Sequence, residues 1–266
     1  MLELNRAKEL LEKFGLPTAS LLLDAKLETA SKNEDTYLTF LLELLADENG
    51  QRQIRGQEMR LKLSHLPHHK TIGDFDFGFQ PGIDRRQIKE LETLAFVARK
   101  ENVIFLGPPG VGKSHLSVAL GMAAIKVGLT VYFTSVSDLI QDLRKAEMAG
   151  RLESRWKIYL RPHVLILDEI GYSQLNRGAA ELLFQLISKR YESGSIIMNS
   201  NKNFAGWGEI LGDSVMATAL LDRLLHHCTV INIRGGETYR LKDRKKAGIL
   251  TVPPASIPAF EQPALE

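Results

Sequence analysis

The segment that most constrains the fold is residues 107–114, which read Gly-Pro-Pro-Gly-Val-Gly-Lys-Ser and match the pattern GxxxxGK[ST]. An apolar run at residues 103–106 precedes this segment, and residues 115–124 continue it with the composition of a helix. Glycines in such a loop let backbone N–H groups turn towards a phosphate, and the start of the following helix adds partial positive charge. The pattern therefore predicts a strand, a phosphate loop (residues 107–114) and a helix that together bind a nucleotide.

Two side chains of the phosphate loop have specific predicted roles. Lys113 is expected to hold the β and γ phosphates of ATP, and Ser114 is expected to place its hydroxyl on Mg²⁺. A chance match in an unrelated loop is the alternative, and the flanking strand and helix patterns count against it. The predicted nucleotide contacts are Gly107, Pro108, Pro109, Gly110, Val111, Gly112, Lys113, Ser114 and His115.

A second apolar run, residues 164–169, ends in the acids Asp168 and Glu169. Because the carboxyl ends of buried parallel strands meet at one edge of a sheet, both carboxylates are expected beside the phosphate loop. Asp168 is predicted to bind Mg²⁺ through water, and Glu169 to polarise the attacking water as a general base. The competing interpretation is a strand that ends in acids by chance.

Two further residues are candidates for the hydrolysis of ATP. The apolar run at 196–201 ends in Asn201, which would orient water near the γ-phosphate, although Asn199 or Asn201 beginning a turn is the alternative. Arg223 lies in a later helical segment and is predicted to reach the γ-phosphate of a neighbouring subunit. A surface salt bridge to Asp222 is its alternative role.

The order of patterns along the chain predicts an α/β core. Strand and helix patterns alternate after residue 84, which is typical of a parallel sheet covered by helices. Strands are predicted at 102–107, 130–134, 163–168, 195–200 and 229–233, and helices at 84–99, from 113, from 137 and at 177–191.

Three regions are predicted from these patterns. Residues 1–66 show only helical spacing and form a small helical N-terminal domain, in which Asp35 is expected to cap the third helix. The segment 67–81, punctuated by glycine and proline, is interpreted as a linker or loop that begins the ATPase domain, residues 67–248. Residues 249–266 are rich in proline without apolar periodicity, which predicts a disordered tail.

Composition excludes several classes of protein. Apolar runs stop short of bilayer length and the N-terminus lacks a secretory signal, so no membrane association and a cytoplasmic address are expected. The single cysteine, Cys228, excludes an internal disulfide framework and a cysteine-rich zinc cluster. Metal ligation by His226 and His227 is not expected, because adjacent histidines on a helix point apart and no third ligand is evident.

The formal net charge of +2 does not by itself indicate a nucleic-acid partner, so the distribution of charge decides. A basic run comprises Arg52, Arg55, Arg60 and Lys62, and it is predicted to contact DNA phosphates without reading bases. Residues 99–100, Arg234 and residues 240–246 are further basic candidates. A solvated helix face is the alternative for each cluster.

Taken together, the chain resembles the IstB family of insertion-sequence helper ATPases, which are AAA+ proteins similar to the bacterial helicase loader DnaC. The resemblance covers about residues 35–245. Beyond the phosphate loop and its strand, it is carried by Phe-Asp-Phe at 75–77, Leu-Asp-Glu-Ile-Gly-Tyr at 167–172, Ser-Asn-Lys at 200–202, Trp-Gly-Glu at 207–209, Leu-Asp-Arg-Leu-Leu-His-His at 221–227 and Tyr-Arg-Leu at 239–241.

The resemblance implies an AAA+ P-loop core with a parallel five-stranded sheet. It implies a homo-oligomeric ATPase, with ATP at subunit interfaces, that assembles on double-stranded DNA with little sequence preference. Such a protein takes part in target-site selection and stimulates the transposase of the same insertion sequence in the bacterial cytoplasm, acting at the nucleoid. The resemblance also assigns Asn201 as a sensor residue and Arg223 as an arginine finger.

One departure from the AAA+ pattern and two other functions stay open. Too few residues follow Leu225 for a full helical lid, so a second-sensor arginine has no evident position, with Arg240 the remaining candidate. A helicase loader of the DnaC type, which binds the replicative helicase, is one alternative function. A small-molecule kinase is the other, since a phosphate loop alone also fits phosphoryl transfer to a metabolite.

Overall fold

The computed structural model describes residues 2–171, 174–234 and 238–239. The chain divides into two compact units, the first ending at Met59 and the second beginning at Arg60. This division lies within the third helix, ahead of residue 67, where the sequence placed the boundary. The predicted tail at 249–266 lies outside the described residues.

The first unit is built from helices, as predicted. They are α1 (Leu2–Lys13), α2 (Pro17–Asn33) and α3 (Tyr37–Leu63), the last of which ends in the second unit. Ala19, Leu23 and Leu44 form its small buried core. The prediction that Asp35 caps α3 is wrong, because the hydroxyl of Thr36 accepts the hydrogen bond from the Thr39 N–H at 3.2 Å.

Glu48 on α3 stabilises the start of α2. Its buried carboxylate accepts hydrogen bonds from the backbone N–H groups of Thr18 and Ala19 at 2.7 and 3.0 Å, which have no partner within the helix. Burial alone would raise the pKa of the Glu48 carboxyl. The two hydrogen bonds and the charges of Arg55 and Arg52 together have the larger effect and hold the pKa below its usual value. The carboxylate is therefore ionised at neutral pH.

The second unit contains the predicted five-stranded parallel sheet. Its strands are β1 (Asn102–Leu106), β2 (Val131–Ser135), β3 (Val164–Ile170), β4 (Ser195–Ser200) and β5 (Cys228–Asn232). Their order in the sheet is β2-β3-β4-β1-β5, and every pair is parallel. The sequence prediction of an α/β fold is confirmed.

Helices cover both faces of the sheet. They are α4 (Arg85–Glu92), α5 (Ala95–Ala98), α6 (Lys113–Lys126), α7 (Val136–Met148), α8 (Leu152–Leu160), α9 (Arg177–Arg190), α10 (Trp207–Leu211) and α11 (Ser214–Leu225). One apolar core packs α7 to α11 on one face, and a second packs α4, α5 and α6 on the other. None of the helices in the described ranges is long and apolar enough to cross a bilayer.

The structure differs from the predicted elements at three places. The helix predicted at 84–99 is interrupted at Leu94, whose φ of 62° is left-handed, so α4 and α5 are separate. A buried leucine gives no sequence signal for such a break. The sequence also missed α8, held by the buried Trp156 and Tyr159, and α10, held by the buried Trp207.

The segment predicted as a linker or loop is folded against the core of the second unit. A short 3-10 turn occupies Ile72–Asp74, and the Asp74 carboxylate accepts hydrogen bonds from the backbone N–H and the hydroxyl of Thr71, both at 2.7 Å. Ile72 and Phe75 are buried in the core on the α6 face. This loop therefore belongs structurally to the second unit.

Arg190, the last residue of α9, is a buried charge that holds three segments together. Its guanidinium donates hydrogen bonds to the carbonyls of Tyr159, Leu160, Pro162, His163 and Ser195. The shortest of these bonds, to Tyr159 and Ser195, are both 2.8 Å. Burial lowers the pKa of Arg190 to about 10, so the side chain stays charged at neutral pH.

Replacing Arg190 by lysine is expected to destabilise the second unit strongly. A lysine cannot reach all of these carbonyls, and each buried acceptor left without a donor costs about 1–3 kcal/mol. We expect Arg190→Lys to lower the free energy of unfolding by about 3 kcal/mol, measured in urea. Arg177→Lys on the same helix, where the side chain is 91% exposed, is the control and should change it by less than about 0.5 kcal/mol. Equal effects of the two substitutions would contradict this role of Arg190.

Candidate nucleotide-binding site

The sheet order brings the predicted site residues to one edge. Strand β4 lies between β1 and β3, with Leu106 paired to Ser200 on one side and Leu167 paired to Met198 on the other. The phosphate loop after β1, the acids of β3, Asn199 of β4 and Asn201 just after β4 therefore meet at the carboxyl ends of the strands. Ligands of open α/β sheets bind in this position.

The glycines of the phosphate loop are required by conformation and by space. Gly107, Gly110 and Gly112 have φ values of 152°, 83° and 102°, which L side chains rarely adopt. A Cβ atom on Gly112 would lie 2.5 Å from the ring of Phe75, and one on Gly107 would lie 2.7 Å from the Ile233 carbonyl oxygen. The loop can therefore keep this shape only with glycine at these positions.

Lys113 begins α6 and is only 8% exposed. Its ammonium donates hydrogen bonds to the carbonyl oxygens of Gly107 and Pro108 at 2.7 and 2.8 Å, so the side chain lies across the phosphate loop. Ser114 follows in the first turn of α6, and both Lys113 and Ser114 line a cleft at the carboxyl ends of the strands. Lys113 and Ser114 therefore lie side by side at the junction of the loop and α6.

His115 forms part of the wall of the cleft. Its Nε2 atom lies 3.1 Å from the carbonyl oxygen of Thr71, and its ring packs edge-on against Phe75 with centroids 5.2 Å apart. Burial lowers the pKa of His115, with a smaller contribution from the charge of Lys70. The imidazole is therefore neutral at pH 7 and does not add a positive charge for a phosphate.

Asp168 and Glu169 lie at an irregular point of β3. The register between β3 and β4 shifts between Leu167 and Ile170, and Glu169 has a left-handed φ of 64°. A bulge of this kind redirects side chains at the end of a strand. Asp168 is half-buried, Glu169 is exposed, and both line the cleft that contains Lys113.

Asn199 connects Asp168 to the helix of the phosphate loop. It is 1% exposed, its Nδ2 donates to Asp168 Oδ1 at 3.1 Å, and its Oδ1 accepts from the Ser117 hydroxyl at 2.5 Å. This connected set, the Ser117–Asn199–Asp168 chain, links α6, β4 and β3. The interpretation of Asn199 as the start of a turn is wrong, since it lies inside a fully buried strand.

Asn201 follows β4 directly and also lines the cleft. Its side-chain oxygen is buried and has no hydrogen-bond partner within residues 2–171, 174–234 and 238–239. It differs in this respect from Asn199, whose amide makes a hydrogen bond at each end. A rotation of the Asn201 side chain would present this oxygen to a molecule in the cleft.

The cleft has a volume of about 360 Å³. Its lining combines cationic and acidic side chains with the glycines of the loop: Lys70, Asp74, Gly110, Gly112, Lys113, Ser114, His115, Asp168, Glu169, Asn199, Asn201 and Tyr239. No sequence pattern predicted Lys70 or Asp74 at this cleft. The Thr-x-x-Asp pattern at 71–74 signals the local turn, but it contains no information about the distant strands beside it.

Comparison with known proteins identifies the family. The model of the IstB-like ATP-binding proteins matches residues 9–247. This chain belongs to that family. It is 51% identical over 248 residues to the IS21 putative ATP-binding protein of Pseudomonas aeruginosa, with 93% of each chain covered. It is 47% identical over 241 residues to the IS5376 putative ATP-binding protein of Geobacillus stearothermophilus, covering 91% of this chain and 96% of that one.

Solved structures agree on the fold. AMPPCP-bound DnaA from Aquifex aeolicus superposes with a TM-score of 0.53 at 22% identity, covering 69% of this chain and 56% of that chain. The second unit therefore has the fold of that domain, in a chain that belongs to the IstB-like family. The resemblance inferred from the sequence is confirmed at the level of family and fold.

Of the three predicted catalytic residues, Glu169 and Asn201 line the cleft and Arg223 does not. Its guanidinium donates to the Ala219 carbonyl at 2.9 Å and lies 4.9 Å from the centroid of the Phe184 ring. It is not among the described residues that line the cleft. Within one chain, α11 therefore carries Arg223 away from the loop and the acids.

The predicted DNA contacts differ in their surroundings. Arg52 donates to the Gly15 carbonyl at 2.7 Å and Arg55 pairs with Glu48 at 3.2 Å, yet their side chains remain 60% and 51% exposed. Lys62 is exposed, whereas Arg60 is half-buried. The basic cluster at 240–246, which includes Arg240, lies outside the described residues.

Removing the Asn199 side chain is expected to separate its role from that of Asn201. Asn199→Ala removes one hydrogen bond from the Ser117 hydroxyl and one from the Asp168 carboxylate, so we expect a loss of about 1–3 kcal/mol in the free energy of unfolding. The Mg²⁺-dependent gain in affinity for a fluorescent ATP analogue should also shrink, because Asp168 is then held only by the Glu169 N–H within the described residues. Asn201→Ala is the matched control and should keep both properties. An unchanged Mg²⁺ dependence in Asn199→Ala would argue against the positioning role.

Proposed function

We propose that this protein is an ATP-hydrolysing helper of DNA transposition. It oligomerises on duplex DNA, participates in the selection of a target site and stimulates the transposase of its own insertion sequence. The observation that carries the proposal is the meeting of the phosphate loop, Asp168, Glu169 and Asn201 at one cleft in an IstB-like chain. The names of its relatives, insertion-sequence ATP-binding proteins, support the setting.

The cleft fits ATP with Mg²⁺. Hydroxyl and carboxylate oxygens are the ligands that Mg²⁺ prefers, and Ser114 and Asp168 supply one of each. Bound there, Mg²⁺ would offset negative charge on the phosphates. Lys113 would exchange its contacts with the loop carbonyls for contacts with the β and γ phosphates.

The remaining polar residues fit an attack by water. Glu169 is an exposed carboxylate beside the Asp168 position, and it would accept a proton from water as a general base. Asn201, whose side chain lines the same cleft, would orient the same water. A small-molecule kinase would need an acceptor in place of that water, so turnover of ATP without any acceptor would count against this alternative.

The position of Arg223 favours a site completed between subunits. An arginine finger supplied in trans must lie away from the cleft of its own chain, and Arg223 does. Hydrolysis would then depend on assembly. The basic run on α3 would contact DNA phosphates, which gives binding that tolerates many sequences.

A mixing experiment tests hydrolysis between subunits. We expect Lys113→Ala, Glu169→Gln and Arg223→Ala each to lower the rate of ATP hydrolysis by about 10³-fold or more. Mixing Arg223→Ala with Glu169→Gln should restore part of the rate, because Glu169→Gln subunits supply Arg223 to intact neighbouring clefts. Arg177→Ala should behave as wild type in phosphate release. Absence of restored activity in preparations that still co-assemble would place Arg223 in its own chain.

A gel-shift titration tests the DNA partner. With a non-hydrolysable ATP analogue we expect binding to arbitrary duplexes that weakens with ADP, and Lys62→Ala should lower the slope of log K against log salt by about one. Lys32→Ala, an exposed lysine paired to Glu28, is the control and should leave the slope unchanged. Preference for single strands, together with capture of the replicative helicase, would favour the helicase loader instead.

A further inference from the structure

Three potential metal ligands lie close together on the surface of the second unit. Glu192 lies in the turn after α9, and His226 and His227 lie between the end of α11 at Leu225 and the start of β5. One ligand atom of each of the three lies within 4.8 Å of the other two, and all three residues are exposed. None of them is among the described residues that line the nucleotide cleft.

The structure removes the geometric reason for expecting no metal at the two histidines. That expectation assumed that both histidines lie on a helix, where adjacent side chains diverge. The helix ends before them, and their rings lie with centroids 4.0 Å apart. The third ligand, Glu192, comes from a different part of the chain and is invisible to local spacing.

The ligand set determines which ion fits. Two imidazole nitrogens and one carboxylate oxygen are typical of zinc and other borderline divalent ions, whereas Mg²⁺ and Ca²⁺ prefer oxygen alone. Ligand atoms of a tetrahedral zinc site lie about 3.3 Å apart, as bonds of about 2.0 Å require. Exposed side chains can close the remaining distance by rotation.

Two neighbouring features favour a cation here. The Tyr191 hydroxyl lies 2.8 Å from His226 Nδ1, which fixes the ring and leaves Nε2 as the nitrogen that can take an ion. The histidines also follow the carboxyl end of α11, where the helix dipole places partial negative charge. A metal-binding imidazole is commonly held by such an outer hydrogen bond.

We propose that Glu192, His226 and His227 form a binding site for a borderline divalent transition-metal ion, with Zn²⁺ as the representative. The ion would join the turn after α9 to the end of α11, the helix that carries Arg223. The site is separate from the nucleotide cleft, and the inference does not depend on the proposed function.

Zinc titration of the tag-free full-length chain tests the site. In excess Mg²⁺, we expect one equivalent of Zn²⁺ bound by calorimetry, a rise in Tm, and visible absorption bands of tetrahedral Co²⁺ when Co²⁺ replaces Zn²⁺. His226→Ala and Glu192→Gly should each weaken binding by at least about tenfold. Tyr191→Phe should keep the stoichiometry and weaken binding by about tenfold.

Glu192→Gly keeps the test independent of folding. Glu192 has a left-handed φ of 55°, which glycine adopts without strain, so the metal-free variant should have a Tm no lower than wild type. His69→Ala, which removes an exposed histidine elsewhere in the unit, should bind Zn²⁺ as wild type does. Wild-type protein that binds no Zn²⁺ in the micromolar range, or binding unaffected by His226→Ala and Glu192→Gly, would overturn the proposal.

Discussion

The nucleotide cleft depends on one buried set of hydrogen bonds, the Ser117–Asn199–Asp168 chain. Strand β4 lies between the strand that leads into the phosphate loop and the strand that ends in the acids. Asn199 on β4 is hydrogen-bonded to Ser117 on α6 and to Asp168 on β3. The Asp168 carboxylate, the expected Mg²⁺ ligand, is therefore held in position relative to α6. Ser117 and Asn199 are buried, where a lost hydrogen bond is costly, so their residue types are constrained together.

Local sequence patterns predicted the parts of the protein that are contiguous in the chain. The phosphate loop needs glycine at positions with left-handed φ, and that requirement is visible as a spacing of glycines. The strands are short apolar runs whose ends carry Asp168, Glu169 and Asn201, and parallel topology then brings those ends together. The fold and family inferred this way are confirmed, whereas the catalytic roles of the individual side chains stay predictions.

The parts that the sequence did not predict depend on contacts between distant segments. Leu94 breaks a helix although its apolar spacing is regular, because the break is set by packing and not by a glycine or proline. Asp74 lines the cleft although it lies in a segment whose glycines and prolines are typical of a linker. The carboxylate beside His226 and His227 comes from Glu192, more than thirty residues earlier in the chain, which no local periodicity can show.

The buried guanidinium of Arg190 has a consequence for how the sheet opens. This one side chain donates hydrogen bonds to carbonyl oxygens just ahead of β3 and at the start of β4. Because one guanidinium bonds to both strand ends, detaching either end would also disturb the hydrogen bonds at the other. The two ends therefore open as one cooperative step. Local fluctuations at the amino edge of the sheet are thereby suppressed, so that both edges of the sheet are tied by side chains from distant segments.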